Sequence, residues 1–177
     1  MITMSLYFTA AVPHKELRQK ARNYSRDFAN RFNSVKSFKN FPHITLIKPF
    51  SFDESKEDVL VGNFSEMNLK TTPFNVNLKD FGCFPNKNNP VIFIKPENKE
   101  ELQKLFDKIQ PKMNFHSYAK LNPHLTVAYR DLSPENFSLA WEEYKTKTFE
   151  DSFLVDKICL FKHYNGKWNL LKIKNLE

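Results

Sequence analysis

The order of elements in this sequence predicts a mixed helix-and-strand fold arranged as a bilobal internal duplication, and three observations carry that reading. A proline-preceded His-x-Thr triplet occurs twice, as Pro42-His43-Ile44-Thr45 and Pro123-His124-Leu125-Thr126. The strands and helices around each copy follow in similar order, as expected of two repeats related by a pseudo-two-fold axis. Apolar residues alternate along both triplets, which marks strands with one buried and one open face. Two lobes, roughly 1–88 and 89–177 with some exchange of strands, are therefore expected to meet along their histidine-bearing strands within one domain of 177 residues.

The elements follow in order. Leu6 to Val12 is a β-type run ended by Pro13, and Lys15 to Phe32 places Leu17, Ala21, Tyr24, Phe28 and Phe32 on one helical face. Pro42 opens a strand over His43 to Lys48, which Pro49 is expected to close, because proline cannot donate to a central ladder. Ser51 to Asp53 cap a helix reaching about Met67, and Thr71 to Phe81 alternates as a strand. The polar stretch Asn86 to Pro90 is the expected junction between lobes. A strand at Val91 to Lys95, a helix from Asn98 to Ile109, a strand from His124 to Arg130 and a helix from Ser133 to Tyr144 repeat the order. One long strand, Phe153 to Tyr164, is expected next. Asn165-Gly166 supplies the two positive φ angles of a tight hairpin turn and sends Lys167 to Lys174 back along it.

Composition narrows the function classes. Hydrophobic residues make up 41% and charged residues 27%, with only 3 Gly, so the chain is expected to fold. A balance of 27 Lys plus Arg against 20 Asp plus Glu gives a net charge of +7, which favours an anionic partner by long-range attraction. Aromatics reach 15%, including 18 Phe; most must fill the core, but some are available to stack on bases. Cys83 and Cys159 fall in no metal-ligand spacing and are expected to be buried free thiols, so neither a structural metal nor a disulfide framework is expected. No run approaches the ~20 apolar residues of a membrane span. The N-terminal run has no preceding positive charge and is not a signal peptide, so the cytoplasm is the expected location.

The paired triplets carry the chemistry. Residues i and i+2 of a strand share a face, so each triplet sets an imidazole beside a hydroxyl. Cleaving a phosphodiester requires one group to take a proton from the attacking oxygen and another to give one to the leaving oxygen. Histidine, with an unperturbed pKa of ~6.5, serves in either role. The threonines are candidate donors to the nonbridging phosphate oxygens. One His-x-Thr triplet is a weak signal, since composition alone yields roughly 0.2 copies, but two copies in equivalent places are not. Lys48 and Arg130, at the far ends of the motif strands, are candidate phosphate partners, and Tyr129, Phe50, Phe84 and Tyr7 candidate stacking residues. His14, His116 and His163 lack a following Thr and are assigned ordinary surface or hydrogen-bonding roles. Lys56-Glu57-Asp58 and Glu142-Glu143 read as exposed helix faces.

The segments Phe41-Pro42-His43-Ile44-Thr45-Leu46-Ile47-Lys48-Pro49-Phe50 and Asn122-Pro123-His124-Leu125-Thr126-Val127-Ala128-Tyr129-Arg130 resemble the paired signatures of the 2H phosphoesterase superfamily. Within it they look most like bacterial 2′-5′ RNA ligase-like proteins, also called RNA 2′,3′-cyclic phosphodiesterases. The resemblance implies an α+β fold with two mostly antiparallel sheets lining a central cleft and helices outside. It implies His43 and His124 as acid and base in an unassigned order, Thr45 and Thr126 as phosphate donors, and no cofactor or metal. The expected substrates are 2′,3′-cyclic phosphodiesters of RNA ends or small nucleotides, handled by a monomer. A 2′-5′ ligase, a 2′-5′ phosphodiesterase and a catalytically weak RNA-end binder remain alternatives.

Overall fold

A computed structural model describes residues 3–113 and 120–177. His116 lies outside the described residues. The chain is α+β: all described strands join one eight-stranded antiparallel sheet, with helices packed against it. The strands are β1 (Met4–Ala11), β2 (Ile44–Asp53), β3 (Phe74–Phe84), β4 (Val91–Pro96), β5 (Leu125–Ala128), β6 (Glu150–Val155), β7 (Lys157–Tyr164) and β8 (Lys167–Asn175). Their spatial order is β6-β3-β4-β5-β2-β1-β7-β8. The helices are α1 (Lys15–Arg31), α2 (Lys36–Lys39), α3 (Glu57–Glu66), α4 (Lys99–Ile109) and α5 (Pro134–Tyr144).

The two sheets expected from the sequence are thus one, because β2 and β5 pair directly at Ile44 and Leu125. Four strands lie on each side of that junction, β5 and β2 included. Those on the β5 side come from residues 74–155, and those on the β2 side combine β1 and β2 with the C-terminal hairpin. The Asn86–Pro90 stretch, expected to join lobes, instead closes the β3–β4 hairpin, whose last described pair is Phe84 with Val91.

The long strand expected over Phe153 to Tyr164 is interrupted at Asp156. On one side of the break β6 pairs with β3 at one end of the sheet; on the other, β7 sits between β1 and β8 near the opposite end. In a flat sheet, strands in those positions would lie roughly 29 Å apart. A one-residue link spans only about 7 Å, so the sheet must coil strongly to bring the two together. The Asp156 carbonyl accepts a 2.7 Å hydrogen bond from the Leu176 N–H, fixing the crossover to the end of β8.

Pro49 does not close β2, which runs on to Asp53. Against β1, Tyr7 pairs with Phe50 and Thr9 with Ile47, so β2 carries an extra residue opposite Phe8. Proline is tolerated at such a bulge because no ladder bond is demanded of it. A second irregularity lies beside it, between Thr9 and Ala10. There the fully buried Thr9 hydroxyl takes the place of a ladder carbonyl, accepting from the Ile47 N–H at 3.1 Å.

The main core lies between the sheet and the helices. Leu17, Ala21 and Phe28 of α1, Leu102, Leu105 and Phe106 of α4, and Ala140 and Tyr144 of α5 are fully buried there. They meet Ile44, Leu46, Leu125 and Val127, the apolar alternates of the motif strands. Tyr144 ties α5 to α1, its ring 4.5 Å from Phe28 and its hydroxyl donating to Asp27 at 2.7 Å. A smaller cluster of Phe8, Ala10, Cys159 and Phe161 occupies the sheet's other face. Cys159 is buried and Cys83 half-buried, both as free thiols. Asn165 and Gly166 have φ of 49° and 71° and close the β7–β8 hairpin, as the sequence predicts. No helix among the described residues is long and apolar enough to cross a membrane.

The bulge yields a stability prediction. Thr9→Val keeps the side-chain shape but leaves the Ile47 N–H without its buried acceptor, at a cost of about 1–3 kcal/mol. Urea denaturation is expected to show that loss, and an unchanged midpoint would remove the hydroxyl's structural role.

Candidate functional site

The pairing of Ile44 with Leu125 fixes the geometry of both triplets. Because β2 and β5 run antiparallel, extending the register by one residue sets His43 across from Thr126 and His124 across from Thr45. All four alternate with the buried Ile44 and Leu125, so they share the opposite face of the sheet. The result is a two-by-two array in which each imidazole neighbours a hydroxyl along its own strand and another across the junction. His43, Thr45, His124 and Thr126 are all half-buried and line one open cavity of about 190 Å³.

The two rings are held alike. His43 Nδ1–H donates to the Phe41 carbonyl at 2.8 Å, and His124 Nδ1–H donates to the Asn122 carbonyl at 2.8 Å. Each bond selects the tautomer in which Nε2 carries the lone pair. Aromatic rings flank both. Phe8 and Phe41 lie 5.0 and 4.8 Å from His43, centroid to centroid, while Phe84 and Phe93 lie 5.1 and 5.3 Å from His124.

This packing depresses both basicities. Burial pushes His43 down to about 4, with His124 contributing in the same direction and the Phe41 carbonyl opposing. His124 is also lowered, again chiefly by burial, with the Asn122 carbonyl opposing and the Lys48 charge contributing. In the free protein both rings therefore favour the neutral form near pH 7, and a bound anion would oppose that shift.

The other sequence-nominated residues separate. Tyr129 and Arg130 line the cavity, and the Arg130 guanidinium lies 5.3 Å from the Tyr129 ring centroid. Lys48 is exposed and close enough for its charge to act on His124. Tyr7 and Phe50, nominated for stacking on a base, do not line the cavity. Tyr7 is fully buried, its hydroxyl donates to Glu57 at 2.6 Å, and Phe50 stacks on its ring at 5.9 Å. Phe84 packs edge-on against His124, so it buttresses the imidazole. His14 caps α1, its Nδ1 accepting from the Leu17 N–H, and His163 faces Trp168 across the hairpin. Glu143 pairs with Arg31 and Lys147, away from the cavity. Among the described residues no group of three or more His, Cys, Asp or Glu is placed to hold a metal ion.

Sequence reasoning missed part of the lining. Phe41, Trp168, Asn40 and Phe8 complete the wall, and Asn40 Nδ2 donates to the Tyr129 hydroxyl at 3.4 Å. Phe41 was signalled by its place two residues before His43. Trp168 was signalled only by the hairpin turn that precedes it.

The 2′-5′ RNA ligase superfamily model matches residues 9–167, a span that includes both triplets. The chain belongs to this superfamily of 2H phosphoesterases. Its superfamily relatives include a Bacillus licheniformis protein provisionally named a phosphoesterase, 27% identical over 167 residues that cover 93% of this chain and 94% of the relative. A similarly named Geobacillus protein is 24% identical over 93% of this chain and 92% of its own. Among solved structures, Escherichia coli LigT complexed with NADP+ covers 98% of this chain and 99% of its own, with a TM-score of 0.68 and 18% identity. The LigT complex with 3′-AMP has a TM-score of 0.64 at the same identity and coverage. At that identity the structural likeness shows the shared 2H fold.

Two measurements test the geometry of this candidate site. A Cβ on Gly82 would lie 2.7 Å from the Phe93 ring, which packs on His124. Gly82→Ala should therefore displace Phe93 and lower activity more than it lowers stability, measured by turnover beside thermal unfolding; unchanged turnover would remove this positioning role. The second test is of linkage. Because His43 is held below its unfolded value, the unfolded chain binds more protons as pH falls from 6.5 toward 4, and stability is lost over that window. His43→Gln should lose less stability than the parent between pH 7 and 4 in urea titrations, and parallel losses would contradict the depressed basicity.

Proposed function

We propose that the chain is a metal-independent phosphoesterase that opens 2′,3′-cyclic phosphodiesters at RNA ends or in small nucleotides. The observation that carries this reading is the matched tethering of the two imidazoles. Each Nδ1 is held by a backbone carbonyl, which leaves one Nε2 from each triplet for proton transfer at one cavity. The superfamily membership supports it, as do the names of the relatives and the nucleotides held by LigT.

In the proposed reaction the cyclic phosphate sits over the array, with Thr45 and Thr126 donating to its nonbridging oxygens. Arg130 on one side and Lys48 on the other balance its negative charge. One imidazole Nε2 takes a proton from water as the water oxygen bonds to phosphorus. The other, as imidazolium, gives its proton to the ribose oxygen as the P–O bond breaks, leaving a phosphomonoester and a free hydroxyl. Burial lowers both imidazoles, and the two titrate as a coupled pair, so either can hold the proton that the anion draws in while the other acts as base. A 2′-5′ phosphodiester would use the same four side chains, and ligation is the same ring opening with a ribose 5′-hydroxyl attacking phosphorus in place of water.

An acid and a base acting in one transition state are not additive. His43→Ala and His124→Ala should each lower turnover of a 2′,3′-cyclic nucleotide at least ~10²-fold, with the double variant little worse than either. Thr45→Ala and Thr126→Ala should cost roughly 10- to 10³-fold. The pH profile should be bell-shaped, with limbs belonging to the coupled pair, and activity should survive a chelator. Near-normal turnover in either histidine variant would rule out the two-motif mechanism.

A further inference from the structure

The cavity at the histidines does not end at its own wall. A second depression adjoins it and shares five residues with it, namely Asn40, Phe41, Tyr129, Arg130 and Trp168, so the two form one continuous groove. Beyond the shared residues its lining adds Arg22 from α1, Lys36 and Lys39 from α2, and Lys167 from the β7–β8 hairpin. Among the described residues no acidic one lines it. The nearest carboxylate in sequence, Asp131, is turned onto backbone, accepting from the Val35 and Lys36 N–H groups at 2.9 and 3.0 Å and from the Ser34 hydroxyl at 2.9 Å.

Among the described residues none of these four added cations, nor Arg130, takes part in an ion pair, whereas Lys20, Arg31, Lys147 and Lys162 elsewhere are all held by carboxylates. Lys36, Lys39, Arg130 and Lys167 are exposed, and Arg22 lies 4.8 Å from the Phe38 ring centroid. Between the cations and the histidines stand the flat rings of Phe41, Tyr129 and Trp168. A groove that alternates unpaired cations with aromatic faces fits a single-stranded polyanion that carries a base at each phosphate.

Resting on the phosphoesterase reading above, we infer that this groove is a polynucleotide track. It takes the RNA strand on the 5′ side of the cyclic phosphate and makes oligonucleotides, not mononucleotides, the preferred substrates. A mononucleotide bound at the histidines has no further phosphate to place against Arg22, Lys36, Lys39 and Lys167. A strand does, and each phosphate neutralised releases counterions.

The test compares a 2′,3′-cyclic mononucleotide with RNA oligonucleotides, from dinucleotide to octanucleotide, ending in 2′,3′-cyclic phosphate. For the parent protein, kcat/KM should rise at least ~10-fold along the series and fall with salt for the longer members only. The triple variant Lys36→Gln, Lys39→Gln, Lys167→Gln should lose most of that rise, reduce the salt slope by about 2, and leave the mononucleotide within about two-fold of the parent. No length preference in the parent, or an equal loss on both substrates, would overturn the track. A binding arm separates its failure from that of the proposed reaction. If no cyclic phosphate is opened at all, anisotropy with a labelled octanucleotide ending in 3′-phosphate decides. Salt-dependent binding abolished by the triple variant sustains the track, and binding indifferent to those lysines removes it.

Discussion

A single cross-strand pair, Ile44 with Leu125, holds the arrangement of the candidate site. It is the one described pairing between β2 and β5, and both residues are fully buried. Because the strands are antiparallel, the same pair lies at the centre of a local two-fold relation between the triplets. A slip of one residue would turn the imidazoles and hydroxyls of one strand into the core and expose its apolar alternates. The helices resist that slip by burying Ile44, Leu46, Leu125 and Val127 on the other face. Stability and site geometry therefore rest on the same four apolar side chains.

Desolvation explains why two half-buried histidines can sit beside each other in a basic protein. Were both protonated, their charges would repel across the array and meet Lys48 as well. Packing against Phe8, Phe41, Phe84 and Phe93 removes water from the rings and keeps them neutral. An anion bound between them would favour the charged form, and in the proposed reaction this would couple proton uptake to substrate binding.

Local pattern made the site legible, while non-local pairing hid much of the fold. His43, Thr45, His124 and Thr126 were visible because strand alternation and a repeated motif are short-range signals. The joining of the halves into one sheet was not, since it depends on a partner dozens of residues away. The break at Asp156 leaves the apolar alternation from Phe153 to Tyr164 almost undisturbed, yet it moves the chain from one end of the sheet to the other. Tyr7 shares its face of β1 with Ser5 and Thr9, so alternation gave no sign that its ring enters the core. Pro49 misled for a related reason: the rule against proline in a central ladder holds, but a bulge suspends it, and bulges leave no mark in composition.

The prolines before each histidine close the account. The carbonyls that tether the imidazoles belong to Phe41 and Asn122, the residues immediately preceding Pro42 and Pro123. A residue before proline is driven from the helical region into an extended one by the clash with the proline ring. Extended backbone across Phe41-Pro42-His43 and Asn122-Pro123-His124 puts each carbonyl within reach of the imidazole two residues later. Proline also has no N–H of its own to need a partner, and both prolines are buried. The shared shape of the two tethers thus follows from covalent geometry within each triplet's own segment. The sheet has only to bring two such preset segments together, and the single Ile44–Leu125 pair is enough to do so.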